Sequence, residues 1–480
     1  MPSGAVQPDA RTGGWLGPVL ALVVAVTALR WLLLAYDGTD LFVDEVQYWL
    51  WGQHFAFGYY SKPPLIAWVI GGVTWAAGSD APFWVRMPGA ALHGATAVIL
   101  AALAARIWGR GAALWTAAGY LSLPMVSLGS ILISTDTVMA PFFAAALLFW
   151  RRLVEDRRSH WAALAGLMIG LAFLAKYAAV YFLLGTALAA VAFPAARVGW
   201  RNAGALLAAF GAAILPNLLW NVFNGLATFT HTADNVGWVA GAGRPAPGLL
   251  GLAEFWASQF AVVGPVVFAA LLIALSRARR MGGLTCFVVV PLLAVSVQSL
   301  LDRTNANWAV AAYFAGLPLA MAVLADAPRW RAAGLAINAA IAVALPVLTL
   351  MPHLTFGDAP LLKRYLGRAA LSHEVIALAQ AQGNAPIYAE ERDVLADLFY
   401  TGRDADLAFY ARNPKGPPKS HYEQRYPLPS DQVGPVLAVL SRPTACAPLA
   451  PPVEVGRGPG AYADRNLTAT LVDGACLAAE

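Results

Sequence analysis

From Trp15 onward the chain is a succession of apolar runs separated by short polar or basic segments. The runs cover residues 15–36, 83–105, 112–131, 137–150, 161–175, 177–195, 202–220, 252–275, 283–301, 308–325 and 331–350. Most approach the ~20 residues that a helix needs to cross a hydrocarbon core, so the pattern predicts an all-α membrane domain of about eleven transmembrane helices. The segment 64–77 is also apolar, but it is short, follows Pro63-Pro64 and contains Gly71-Gly72. It reads as an interfacial or re-entrant helix. Met1 to Gly14 is polar, and Trp15 to Ala35 is too long and lacks the cleavage site of a secretory signal, so it reads as a retained first span.

Near Met351 the pattern changes to that of a soluble domain. Ala385 to Glu390, Leu407 to Ala411 and Val436 to Leu440 read as strands, and Glu391 to Tyr400 as a helix. The Pro-rich, basic stretch from Asn413 to Pro429 reads as a loop. The expected organisation is a membrane domain over residues 1–350, with a first outer loop at 37–82, and a small α/β or α+β domain over 351–480. No heptad pattern, internal repeat or long low-complexity stretch is visible.

Composition agrees with membrane residence. Of 480 residues, 59% are hydrophobic and only 12% charged, about half the charge of a soluble chain; mean hydropathy is +0.60. The formal net charge of +5 is not a nucleic-acid signal, because the cations sit in short loops between spans. Arg106, Arg110, Arg151, Arg152, Arg157, Arg158, Arg197, Arg201, Arg277, Arg279, Arg280, Arg329 and Arg331 account for thirteen of the 32 Lys and Arg residues. With eleven spans, and 64–77 not crossing, all of them fall on one side, which the positive-inside rule makes the cytoplasm. The loops 37–82, 132–136, 221–251 and 302–307 and the tail then face away from the cytoplasm.

Three cysteines argue against a metal cluster or a disulfide framework. Cys286 lies in an apolar run and reads as packing. Cys446 and Cys476 lie in the tail, and whether they pair is left open. No Walker A, dinucleotide-binding Gly pattern, His-Glu-x-x-His or Cys-x-x-Cys occurs, which leaves a nucleotide-driven pump or a Rossmann-type transferase unsupported.

The outer loops carry the candidate chemistry. Asp44-Glu45 places two carboxylates just past the first span, where ionised groups are kept mainly for a polar cavity. On a helix Asp44, Tyr48 and Trp51 share a face, while Glu45 points elsewhere and is free for a structural bond; the plainer reading of the pair is a helix N-terminal carboxylate satisfying backbone donors. Tyr59-Tyr60-Ser61-Lys62-Pro63-Pro64 reads as a phosphate contact through Lys62 on a stiffened backbone, or as an aromatic belt with a snorkelling Lys. Arg86 is a second phosphate contact or an interface anchor. Asp136, in Ser134-Thr135-Asp136-Thr137, reads both as a helix N-cap and as a supporting carboxylate. Lys176, in Ala175-Lys176-Tyr177, reads as a lipid-phosphate contact or a snorkelling side chain. Pro216 to Asn221 with Phe229 to Asn235 is a polar, aromatic outer loop of the type that grips sugars, in which His231 is not read as a base; Asp302 to Trp308, with Asn307, is another short polar outer loop. Asp302-Arg303 is a local salt bridge of small value.

The ordered set Asp44-Glu45, Tyr59-Tyr60-Ser61-Lys62-Pro63-Pro64, Ser134-Thr135-Asp136, Ala175-Lys176-Tyr177 and Asn305-Ala306-Asn307-Trp308 resembles the GT-C glycosyltransferases, in the branch of protein O-mannosyltransferases and lipid A aminoarabinose transferases. The resemblance spans most of residues 15–350. Relatives usually carry Pro before the third-motif Asp, where Thr135 stands here. The resemblance implies inverting transfer of a sugar from a polyprenyl-phosphate carrier to a hydroxyl on lipid A, a polysaccharide, a protein or another lipid. It implies Asp44 as base, with Glu45 and Asp136 as supporting carboxylates. Lys62, Arg86 and Lys176 would hold the donor phosphate, and Tyr48, Tyr59, Tyr60, Tyr177, His231 and Asn307 would line the substrate cavity. The family also raises a divalent cation, for which the sequence offers no ligand set. Two other classes compete: a transporter or flippase, which would show mid-span charges and repeated broken helices, and a non-catalytic envelope assembly protein. No charge is expected at mid-span.

Overall fold

The computed structural model describes residues 14–235 and 248–480. The chain forms two compact units. One comprises Met1–Ala35, Lys62–Ile66 and Arg86–Pro346; the other comprises Tyr36–Ser61, Ala67–Val85 and Val347–Glu480. The first outer loop thus folds with the C-terminal residues.

The first unit is helical. Among the described residues six helices are long and apolar enough to cross a membrane: Leu16–Leu34, Pro82–Trp108, Thr135–Asp156, Trp200–Phe223, Ala278–Leu301 and Pro328–Thr349. The number rises to eight if each of two bent pairs is one span. These pairs are Arg110–Ser122 with Pro124–Ile131, bent by 58°, and Gly248–Val263 with Pro265–Ser276, bent by 115°. Both second halves begin with proline, which lacks the amide donor and disfavours helix at the residue before it. At the sharper bend Gly264 has φ +88°, and Asn338 Nδ2 donates to the carbonyl of Val263 at 2.9 Å, satisfying a group the break exposes. The other three expected spans are Ser159–Ala175, Tyr177–Ala192 and Ala311–Ala325, shorter than a full crossing.

Arg30 is a charged residue within the first span. It is 5% exposed near the end of the first span, and its Nη2 donates to the Leu121 carbonyl at 2.6 Å. His93, buried within Pro82–Trp108, is bonded through Nδ1 to the Tyr120 hydroxyl at 2.9 Å. Membrane burial without a hydrogen-bond partner is expensive, so these groups take partners inside the bundle.

The second unit is built on a five-stranded sheet and a small hairpin. The hairpin pairs β1 (Thr355–Phe356) with β2 (Ala359–Pro360). The sheet contains β3 (Ile387–Ala389), β4 (Phe409–Ala411), β5 (Pro435–Leu440), β6 (Val453–Val455) and β7 (Leu467–Asp473), in the order β4-β3-β5-β7-β6. β3 runs parallel to β4 and β5, with Ile387 opposite Phe409 and Leu437; β7 is antiparallel to β5 and β6. Its core includes Tyr388, Val436, Ala438, Leu440, Val472 and Leu477. The three expected strands are β3, β4 and β5, and the expected helix is Arg392–Thr401. The stretch read as a loop contains the helix His421–Arg425, started by Ser420 Oγ accepting from the Glu423 amide at 3.2 Å.

Cys446 and Cys476 form a disulfide across 30 residues of chain, which answers the question the sequence left open, and Cys286 is free and buried. Loop-closure entropy makes such a link worth about 3–4 kcal/mol. Cys446→Ser is therefore expected to lower the unfolding midpoint of the second unit under oxidising conditions, and reductant should do the same to the wild type. Equal midpoints in all three cases would contradict this.

A buried ion pair ties the first outer loop into the same unit. Arg368 Nη1 lies 3.1 Å from Asp397 Oδ2, the Tyr462 hydroxyl donates to that oxygen at 2.5 Å, and Asp40 Oδ2 accepts from the Arg368 amide at 2.8 Å. Burial pushes the Asp397 carboxyl up to about 7, against the pull of Arg368 and Tyr462 in the other direction. Held by these contacts, the loop delivers the chain to the helix Val43–Gly52.

Candidate active site

The helix Val43–Gly52 is amphipathic in an unusual sense: eight of its ten residues are buried, and Asp44 is not among them. Glu45 is 2% exposed, and its Oε2 accepts from the Phe42 amide at 2.9 Å. It satisfies an N-terminal donor, the structural bond the sequence allowed it. The helix packs on Arg392–Thr401, with Trp49 edge-on to Tyr400 at 5.0 Å. Its C-terminus packs on the helix Leu65–Ala77, where a Cβ on Gly71 would lie 2.4 Å from the Gly52 carbonyl oxygen. Only glycine permits that approach.

Asp44 keeps 47% of its side chain exposed and pairs with Arg392, Nη2 to Oδ1, at 2.5 Å. Arg392 Nε also donates to Gln47 Oε1 at 2.9 Å, and Gln47 Nε2 donates to Ser61 Oγ at 3.3 Å. Arg392, Gln47 and Ser61 were not singled out in the sequence. Tyr48 and Trp51 share the face of Asp44 as expected, but they are 4% and 1% exposed. Tyr59 stacks flat on Trp51 at 5.0 Å, and its hydroxyl donates to the His54 carbonyl at 2.8 Å; burial raises that hydroxyl to about 12. The Tyr60 hydroxyl donates to the Pro418 carbonyl at 2.7 Å. These hydroxyls hold loop backbone within the second unit.

A second polar cluster belongs to the first unit. Asp136, in the first turn of Thr135–Asp156, accepts from Lys176 Nζ at 2.7 and 2.8 Å and from Asn307 Nδ2 at 2.9 Å. The N-cap expected of Asp136 is instead Ser134, whose Oγ accepts from the Thr137 amide at 3.3 Å: it stands one turn before the amides it must reach. Lys176 neither snorkels nor stands free; it lies at the extended break after Ser159–Ala175 with its ammonium on Asp136. The Tyr177 hydroxyl donates to Asn217 Oδ1 at 3.1 Å and accepts from Asn221 Nδ2 at 3.3 Å, and its ring stacks on Phe229. His231 is half-buried on the helix Ala227–Asn235. Asp136 and Asn307 also line a cavity of about 620 Å³ with an otherwise largely apolar wall that includes Leu128, Leu132, Val262 and Phe314. Such a cavity suits an amphiphile with a polar head.

Lys62 is half-buried in the first unit, and Arg86, in the same unit, is 1% exposed. Burial on that scale removes the reading of Arg86 as a snorkelling interface anchor. Among the described residues no three His, Cys, Asp or Glu side chains gather as a metal-binding group.

A half-exposed carboxylate in the second unit and, in the first, helices of membrane length around a largely apolar cavity suit an enzyme that works on membrane-borne substrates. Residues 61–220 match the family described as dolichyl-phosphate-mannose-protein mannosyltransferase. The chain is 41% identical to the lipid A galacturonosyltransferase RgtD of Rhizobium johnstonii over 471 residues, covering 96% of this chain and 98% of that one. Two crystal structures of ArnT from Cupriavidus metallidurans, one apo and one bound to undecaprenyl phosphate, share its fold. Each has a TM-score of 0.61 at 15% identity, with 95% of this chain covered and 98% and 97% of theirs. The chain belongs to the GT-C polyprenyl-phosphate-sugar glycosyltransferases. It is an enzyme of that class, and neither a flippase nor an assembly factor is favoured.

Proposed function

We propose that the protein transfers galacturonic acid, with inversion, from a polyprenyl-phosphate carrier to a hydroxyl of lipid A at the periplasmic face of a bacterial inner membrane. The observation that carries the mechanism is Asp44: a half-exposed carboxylate, paired with Arg392, on a helix with eight of its ten residues buried. In this reading the acceptor oxygen attacks the anomeric carbon, its proton passes to Asp44, and the bond from that carbon to the phosphate oxygen breaks, its electron pair leaving with the phosphate. The phosphate gains negative charge, which preorganised cations stabilise. Lys62 is assigned to it, with Arg86 and Lys176 as further cations. Asp136 and Asn307 are assigned to the polar end of the cavity, and Glu45 supports Asp44 by fixing the start of its helix. Tyr48, Tyr59, Tyr60, Tyr177 and His231 shape the surroundings.

The acceptor and sugar follow the RgtD relative's name, and the carrier follows the polyprenyl phosphate of the ArnT complex. An orientation with the second unit outside the cytoplasm is supported by the Arg-rich loops of the opposite side and by the Cys446–Cys476 disulfide, since such bonds persist in oxidising compartments. Eleven crossings are supported by the three shorter apolar helices and two bent pairs that accompany the six full-length ones. Mass spectrometry of lipid A from a deletion strain tests the assignment. Loss of a hexuronic acid from lipid A, restored by the wild-type gene, is expected; unchanged lipid A would reject the acceptor.

A further inference from the structure

Arg392 lies 348 residues from Asp44 in sequence, yet its planar guanidinium bridges two side chains one turn apart on the same helix. Nη2 holds Asp44 Oδ1 at 2.5 Å and Nε holds Gln47 Oε1 at 2.9 Å. Asp44 and Gln47 stand at i and i+3, the spacing that brings side chains side by side on a helix. Gln47 is 2% exposed and its amide nitrogen donates to Ser61 Oγ, itself 7% exposed, so the acceptor presented to Arg392 is fixed by a buried neighbour. The result is a chain of contacts, Ser61 to Gln47 to Arg392 to Asp44, that ends on the one half-exposed carboxylate of the helix.

The placement is poor for stability alone. Arg392 opens the helix Arg392–Thr401, where the helix dipole disfavours a cation. An exposed pair contributes little in return. A lysine would provide the charge without the fork that grips two acceptors at once. The ionisable groups facing the pair are Tyr48 on the Asp44 helix and Tyr422 and His421 on the helix His421–Arg425. Burial and the nearby cations Arg425 and Arg392, with His54, push His421 down to about 3, and burial drives the Tyr422 hydroxyl upward, so both are neutral near pH 7.

We propose that Arg392 is a positioning residue for glycosyl transfer: through Gln47 it fixes the direction in which Asp44 presents its carboxylate. The inference rests on Asp44 being the base. Loss of the guanidinium fork lets the carboxylate swing, and a misplacement of about 1 Å costs roughly 10²-fold in rate.

The test uses the purified full-length protein in detergent with polyprenyl-phosphate galacturonate and lipid A, and follows kcat and KM separately beside thermal unfolding. Arg392→Gln is expected to lower kcat by about ten- to a hundredfold with KM and the unfolding midpoint little changed. Arg392→Lys is expected to leave most of that loss in place, because its ammonium lacks the fork that grips two acceptors. Gln47→Leu, which leaves the arginine charge in place, is expected to lower kcat in the same sense, and it decides the question should Arg392→Gln fail to fold. A wild-type kcat in Arg392→Gln or in Gln47→Leu, or full rescue by Arg392→Lys, would overturn the inference. Activity retained in Asp44→Asn would instead sink the base assignment on which it rests, so the two failures are distinguishable.

Discussion

Asp44→Asn is expected to lower kcat for sugar transfer by about 10²–10⁴-fold while leaving the protein folded and able to bind a polyprenyl phosphate. Asparagine keeps the size of the side chain and an oxygen that accepts from Arg392 Nη2, so the contact at the start of the helix survives in neutral form. What it cannot do is take the acceptor proton. The helix should be indifferent to the change, because its N-terminal donor at Phe42 is served by Glu45 and its packing by buried Val46, Trp49 and Leu50. Glu45→Gln should do the reverse: it weakens a structural bond and costs about 1 kcal/mol of stability with activity retained in the folded fraction. Size-exclusion elution and thermal unfolding would separate the two outcomes. A fully active Asp44→Asn would remove the base.

Lys176→Met is expected to destabilise the first unit by about 2–4 kcal/mol. Its ammonium lies 2.7 Å from Asp136, and the two side chains are 22% and 14% exposed. Removing one member of a fully buried pair costs roughly 3–5 kcal/mol because the other charge is left without compensation. The residual exposure here reduces that figure, and Asn307 still donates to Asp136. Adding Asp136→Asn to Lys176→Met removes the stranded charge, so the double variant should be more stable than Lys176→Met alone. Thermal unfolding in detergent would show this order. A Lys176→Met protein as stable as wild type would mean that the pair is not holding the break after Ser159–Ala175.

The parts of the fold that depend on local signals were readable from the chain. Apolar length marked the spans, and alternation marked β3, β4 and β5. The division of labour between Asp44 and Glu45 followed from helical spacing, since adjacent residues cannot share a face. Parts that depend on distant partners were not readable. Nothing near Asp44 announces Arg392, and nothing near Lys176 announces Asp136, 40 residues away. β6 has only three residues beside a Pro-rich stretch, too short for a periodic signal, and β7 acquires its place by pairing with β5. Arg30 was hidden by its apolar neighbours; only the bundle reveals the Leu121 carbonyl that receives it. The resemblance implies Tyr59 and Tyr60 as cavity-lining residues; what it does not announce is that both hydroxyls donate to backbone carbonyls.

The most direct measurement is a reaction of the purified enzyme with polyprenyl-phosphate galacturonate and lipid A, read by mass spectrometry of both lipids. The account predicts one polyprenyl phosphate released for each uronic acid gained by lipid A, with the anomeric configuration inverted, and neither product with Asp44→Asn. Transfer from a nucleotide sugar in place of the lipid donor, retention of configuration, or equal yields from wild type and Asp44→Asn would contradict it.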